Sequence, residues 1–154
     1  MLTQDELRNL FDYRNNNLYW KERPFRSRVD ITKPAGYIDS AGYRIIRTGG
    51  INYGAHRFVY QWHYGNLDKS LVIDHIDRNR SNNNIENIRQ VTYQQNCFNC
   101  SNVKGYCWDK AMGKWKAYIR IDGVKTHLGY FDIEAKAQAA YEKAKAIYHI
   151  IPSR

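Results

Sequence analysis

Asp74-His75-Ile76-Asp77, then Asn87-Ile88-Arg89 and finally Asn96 bring a carboxylate, an imidazole and two side-chain amides into one short stretch of the chain. A carboxylate and an amide oxygen suit a hard divalent cation. An imidazole titrates close enough to neutrality to take a proton from water. Together these groups suit metal-assisted hydrolysis. Each residue alone has a plainer reading: an Asp-His pair as an exposed turn, Asn87 as a turn former, Asn96 as a surface amide. Their occurrence in order is what raises the set above those readings. Asp77 is a further acid beside the pair, and Asn82, Asn83 and Asn84 are expected to form a turn.

The elements that must position these groups can be read from pattern. Val72 to Ile76 is an apolar, β-branched run that delivers Asp74 and His75 to a strand end. Asp77 to Asn84 is a polar loop. Ile85 to Val91 begins a second strand or turn, and Thr92 is placed to cap a helix from Tyr93 through Phe98 that carries Asn96. Upstream, residues 1–12 predict a short helix, with Thr3 as its cap and Glu6 three positions on. Leu18-Tyr19-Trp20 reads as a strand. Glycine-punctuated aromatic and β-branched runs predict hairpins from Gly36 to Phe58. Phe58, Val59 and Trp62 predict a short helix over His56 to Tyr64, ending near Gly65.

The 154 residues carry a formal net charge of +9, with 25% charged and 14% aromatic residues. That composition fits a folded soluble protein, and the charge points to nucleic acid as the commonest polyanionic partner. Residues 1–96 hold 14 Lys+Arg against 10 Asp+Glu, and residues 97–154 hold 10 against 5, so the C-terminal part is denser in positive charge. Three cysteines, an odd number, argue against a secreted disulfide framework. Cys97 and Cys100 with Cys107 supply at most three of the four ligands of a structural zinc, so buried or free thiols are the expectation. The opening Leu2 to Leu7 is too polar for a signal peptide, and no apolar run reaches membrane-spanning length. The expected compartment is the cytoplasm.

Beyond Cys100 the pattern changes. Lys114 to Ile121 alternates strictly, with Trp115, Ala117, Ile119 and Ile121 on one face and Lys114, Lys116, Tyr118 and Arg120 on the other. Asp122-Gly123 is a type I′ hairpin signal, and Val124 to Phe131 returns. Asp132 is expected to cap a helix over about 133–149, with Ala137, Ala140, Tyr141, Ala144, Ile147 and Tyr148 on its packed side. Lys125 and His127 should lie beside the basic face of the preceding strand.

Ile73-Asp74-His75-Ile76-Asp77, Asn84-Ile85-Glu86-Asn87-Ile88-Arg89 and Gln95-Asn96 resemble the HNH endonuclease family. The likeness is to the phage-type homing enzymes in which the last motif position is asparagine. Ala55-His56-Arg57-Phe58 is similar to that family's lead-in. The resemblance implies a ββα-metal fold. In it Asp74 and Asn96 would ligate one divalent ion, Mg²⁺ or Mn²⁺, His75 would act as general base, and Asn87 would hold the loop that orients the histidine. Arg57 is a candidate phosphate contact.

Val103-Lys104-Gly105-Tyr106-Cys107-Trp108, Gly113 to Arg120, His127-Leu128-Gly129-Tyr130-Phe131 and Ala139-Ala140-Tyr141 resemble the DNA-binding domain of plant ethylene-response factors. That likeness implies a three-stranded sheet lying in the major groove. Tyr118 and Cys107 depart from the plant pattern, which usually has charged residues at those places. The candidate DNA contacts are Arg57, Lys104, Lys114, Lys116, Tyr118, Arg120, Lys125 and His127.

The expected fold class is α+β: a ββα-metal core (about 51–98) within a β-rich domain over 1–100, followed by a sheet-plus-helix domain over 101–154. The expected function is a site-specific DNA endonuclease, acting as a monomer on double-stranded DNA and nicking it. The alternative is a DNA-binding regulator with a vestigial nuclease.

Overall fold

The computed structural model describes residues 2–100 and 103–151 and divides the chain into two compact units, 1–92 and 93–154. Both units combine helices with small antiparallel sheets.

The first unit opens with α1 (Gln4–Leu10). The Thr3 hydroxyl accepts from the Glu6 amide, and the Glu6 carboxylate accepts from the Thr3 amide at 2.7 Å, which is the capping box read from the sequence. The helix is shorter than the pattern predicted. Phe11 turns to extended geometry and begins β1 (Phe11–Arg14), which pairs with β2 (Asn17–Trp20). The reason is a cross-strand pair: Phe11 sits opposite Trp20, ring centroids 4.3 Å apart, and both are buried. A second sheet, β3 (Tyr37–Ile38), β4 (Arg44–Thr48) and β5 (Ile51–Gly54), leads into α2 (Ala55–Tyr64), which ends on Gly65 at φ 83°. Helix α2 buries Ala55, Phe58 and Val59, and these pack with Leu7, Phe11, Leu18, Trp20, Ile46, Ile73 and Ile88 into one core. On that core rests the hairpin of β6 (Val72–His75) and β7 (Ile88–Val91), in register Asp74 to Arg89 and His75 to Ile88.

The second unit contains α3 (Tyr93–Phe98), β8 (Tyr106–Asp109), β9 (Lys114–Ile121), β10 (Val124–Phe131) and α4 (Glu134–Tyr148). Phe98 stacks on His149 at 3.8 Å, and the Gln94 amide donates to Asp122, so α3 is tied to this unit. Ser101 and Asn102, at the junction expected near residue 100, lie outside the described residues. The sheet order is β10-β9-β8, and Asp122 and Gly123 both have positive φ, as a type I′ turn requires. Ala117 and Ile119 face α4, which buries Ala137, Tyr141 and Ala144. A Cβ at Gly105 would stand 2.0 Å from the Tyr141 ring, so only glycine lets β8 start against that aromatic.

Two expectations for this unit fail. Asp132 does not cap α4: the N-cap is Ile133, without a side-chain bond, and the Asp132 carboxylate pairs with Lys114 Nζ at 3.2 Å instead. Ile147 and Tyr148, expected on the packed side of α4, are half exposed. No helix among the described residues is long and apolar enough to cross a membrane.

Candidate functional site

Strand β6 ends on His75, and two aromatic rings and one amide contact that imidazole. The His56 ring meets it edge-on at 5.2 Å, Tyr43 lies 6.0 Å away, and Tyr43 and His56 are 5.3 Å apart. His75 Nε2 is also hydrogen-bonded to Asn83 Oδ1 at 3.2 Å. Helix α2 presents His56 from its first turn, and the glycine before it is what lets the ring in. A Cβ at Gly54 would stand 2.5 Å from His56 Cε1. Burial drives the His56 pKa down to about 3, helped by the positive potential of His75 and Arg57. His56 is therefore neutral near pH 7. Burial also lowers His75, against the raising effects of the Asn83 bond and the Asp77 and Asp74 carboxylates. A neutral imidazole is the form that accepts a proton.

The loop between β6 and β7 is held from inside. Asn87, closing a short 3-10 turn (Ile85–Asn87), accepts from the Asp77 amide at 3.0 Å and donates to Asp77 Oδ1 at 2.9 Å and to the Asn82 carbonyl at 2.8 Å. Asp77 also accepts from Asn79 N and Asn82 Nδ2. Burial opposes the charge on Asp77, but those bonds outweigh it and hold the carboxyl below its usual range. Asp77 thus binds the loop together. Arg80 reaches back from the loop to the Ala41 carbonyl and lies over the Tyr43 ring at 5.0 Å.

Asp74 is 5% exposed, and its Oδ2 receives both Nε and Nη2 of Arg89 at 3.0 Å. The pair follows from register, since the two residues face each other across the hairpin. Asp74 offers a hard carboxylate donor, fixed in direction by the guanidinium. Asn96, the other expected ligand, is half-buried on α3 in the second unit. Among the described residues no three His, Cys, Asp or Glu side chains group to hold a metal ion. Cys97, Cys100 and Cys107 are free and exposed, not buried. The carboxylate and amide oxygens of Asp74 and Asn96 are donors of the kind Mg²⁺ or Mn²⁺ takes.

Arg57 is half-buried on α2, one residue beyond His56. In the second unit, the face of the sheet turned away from α4 carries Lys116, Tyr118, Arg120, Lys125 and His127 together. Lys125 is opposite Arg120, and His127 is opposite Tyr118. Lys125 Nζ stands 3.7 Å over the Tyr118 ring, and Lys116 Nζ 5.6 Å over Tyr130. Lys104 is exposed before β8. Lys114 differs from the others in that Asp132 already pairs with its charge.

Two residues of this site were not singled out from the sequence for what they do. Arg89 follows Asn87-Ile88 with nothing local to mark its partner, and only the hairpin register shows that it meets Asp74. Asn83 was grouped with its neighbours as a turn former, yet it is 1% exposed and bonded to His75.

Comparison with known proteins adds independent findings. Residues 53–97 match the HNH endonuclease family. That span contains Asp74, His75, Asn87 and Asn96, and it excludes the β8-β9-β10 sheet. The chain is 32% identical over 125 residues to "Uncharacterized HNH endonuclease L560" of Acanthamoeba polyphaga mimivirus, a match covering 79% of this chain and 62% of that protein. It is 30% identical over 78 residues to "SPbeta prophage-derived putative HNH homing endonuclease YosQ" of Bacillus subtilis, covering 51% of this chain and 44% of that protein. The chain thus spans less than two thirds of either relative. No solved structure matches it significantly.

Proposed function

We propose that this chain is a metal-dependent, site-specific DNA endonuclease of the homing type. It hydrolyses one strand of a duplex at the His75 site and leaves a 5′-phosphate and a 3′-hydroxyl. The observation that carries this reading is the enclosure of His75. A neutral imidazole, walled by His56 and Tyr43 and bonded to Asn83, ends β6 within the span that matches HNH endonucleases.

His75 is the general base and takes the proton of the attacking water. Asn87 acts through the loop: its bonds to Asp77 and Asn82 fix the turn that follows His75. Arg89 orients the Asp74 carboxylate. Asp74 and Asn96 would hold one divalent ion, which when bound stabilises charge on the scissile phosphate and the leaving oxygen. Arg57 contacts a backbone phosphate beside the reacting group.

The second unit holds the duplex. Its sheet-plus-helix arrangement agrees with the resemblance to plant ethylene-response factors, and its basic face supports a major-groove role. Lys116, Tyr118, Arg120, Lys125 and His127 supply that face, with Lys104 and Lys114 at its margins. In this reading the protein is a phage-type enzyme acting as a monomer in the host cytoplasm, and one nuclease site cuts one strand.

The test is His75→Ala with paired assays. Plasmid nicking in Mg²⁺ should fall by about 10²–10⁴-fold, the range for removing a general base, while duplex affinity stays at the wild-type value. Equal loss of affinity and cleavage would remove His75 from the chemistry. An intact, DNA-binding wild type that nicks nothing would favour the regulator reading.

A further inference from the structure

We infer that Asn83 is a positioning residue for the proposed nuclease: its amide oxygen keeps the proton of neutral His75 on Nε2 and so leaves the lone pair on Nδ1 to act as the base. The inference rests on the reading of His75 as the general base.

The three asparagines at 82–84 are alike in type and unlike in what they touch. Asn82 donates to Asp77 Oδ2 at 2.7 Å, and its own Oδ1 accepts from the Asn84 amide. Asn84 caps the following turn by accepting from the Glu86 amide at 3.1 Å. Both serve the local backbone, as asparagine does in loops. Asn83 alone of the three is fully buried, and it places Oδ1 3.2 Å from His75 Nε2.

An amide oxygen can only accept. The bond therefore requires a hydrogen on Nε2, and in the neutral ring that puts the lone pair on Nδ1. The same bond survives when the ring becomes cationic, because Nε2 is a donor in both states. The imidazole need not turn between accepting and releasing a proton. His56 and Tyr43 close the flanks, so the ring has little room to rotate away.

Two further observations support a purpose beyond turn formation. The Asn83 backbone is anchored from a distant element: Tyr13 Oη of β1 donates to the Asn83 carbonyl at 3.4 Å and accepts from the Ile85 amide at 3.1 Å. The position of the amide is thus set by the core and not by the loop alone. In addition, Asn83 Nδ2 is buried with no hydrogen-bond partner among the described residues. A buried donor left unmade costs about 1–3 kcal/mol. A residue chosen only for packing at a site 1% exposed would be apolar. The asparagine is explained if its oxygen end is needed at His75.

The direct experiment is ring ¹⁵N NMR of the full chain with labelled histidine, read at neutral pH without DNA or metal, with His75 assigned by its loss in His75→Ala. The expected spectrum shows His75 with a protonated Nε2 and an unprotonated Nδ1. The paired kinetics use Asn83→Ala and Asn83→Asp. The alanine variant should lose about 10–100-fold in kcat, taking the range for partners that orient metal-bound imidazoles as the scale, with duplex affinity unchanged. The aspartate variant keeps an acceptor and should recover most of that loss and the wild-type ring spectrum. A wild-type spectrum with the proton on Nδ1 would overturn the inference, as would a folded Asn83→Ala protein with wild-type kcat. A wild type that shows the Nε2–H ring but cuts no DNA would sink the nuclease reading while leaving the tautomer assignment standing.

Discussion

Replacing Arg89 by methionine should cost the fold about 3–5 kcal/mol, the range for stripping one partner from a buried ion pair. The structure decides for that range over the ~1 kcal/mol or less of a surface pair. The Arg89 and Asp74 side chains are 11% and 5% exposed, and two guanidinium nitrogens stand 3.0 Å from one carboxylate oxygen. Methionine preserves most of the apolar stem, so little of the loss comes from a cavity. What remains is a buried carboxylate that has lost the Arg89 charge. Against a total stability of about 5–15 kcal/mol for an ordinary domain, that is a large fraction. Urea unfolding of the full chain should show a lower midpoint with an unchanged slope. Asp74→Asn in the Arg89→Met background should then recover much of the loss, because the stranded charge is gone. An Arg89→Met cost below about 1 kcal/mol, or no recovery in the double variant, would refute the view that this guanidinium holds Asp74 in a dry site.

The His56 imidazole makes stability fall with acid. Its pKa is about 3 when folded against an ordinary 6.5, so between those values the unfolded chain binds a proton that the folded chain refuses. Stability is full above pH 6.5 and declines below it, by up to about 1.4 kcal/mol per pH unit from this group. Urea midpoints between neutral and acid pH should fall less steeply for His56→Phe than for the wild type, and parallel profiles would count against burial as the cause. On the sheet of the second unit, Lys116→Ala and Arg120→Ala should each weaken duplex binding and reduce the slope of log K against log salt by about 1. Unchanged slopes would take that face out of the DNA contact.

The legible features were those set by local pattern. The alternation of Lys114 to Ile121 gave the two faces of β9, and Asp122-Gly123 gave its turn, because side-chain period and positive φ are properties of the strand and turn themselves. Thr3 and Glu6 gave the start of α1 for the same reason. The bounds of α3, Tyr93 to Phe98, match those expected with Thr92 as a candidate cap. The features that escaped depend on distant partners. Asn83 cannot be told from Asn82 and Asn84 by type. Its inward turn is fixed by Tyr13, seventy residues away. Phe11 reads as the end of a helix until Trp20 is placed beside it. Arg89 gains its role from one register among several. Asp132 has the right residue type for a cap, but its carboxylate is paired with Lys114. Ile147 and Tyr148 continue the helical stripe by spacing, yet both are half exposed.

The most direct measurement of the central claim is a divalent-cation titration of strand cleavage, run on the wild type, Asp74→Ala and Asn96→Ala with both strands of a duplex library labelled. The account predicts no cleavage in EDTA and wild-type cleavage restored by Mg²⁺ or Mn²⁺. It also predicts that each variant needs a higher cation concentration or fails to respond. Cleavage that persists in EDTA, or variants whose cation response matches the wild type, would contradict it.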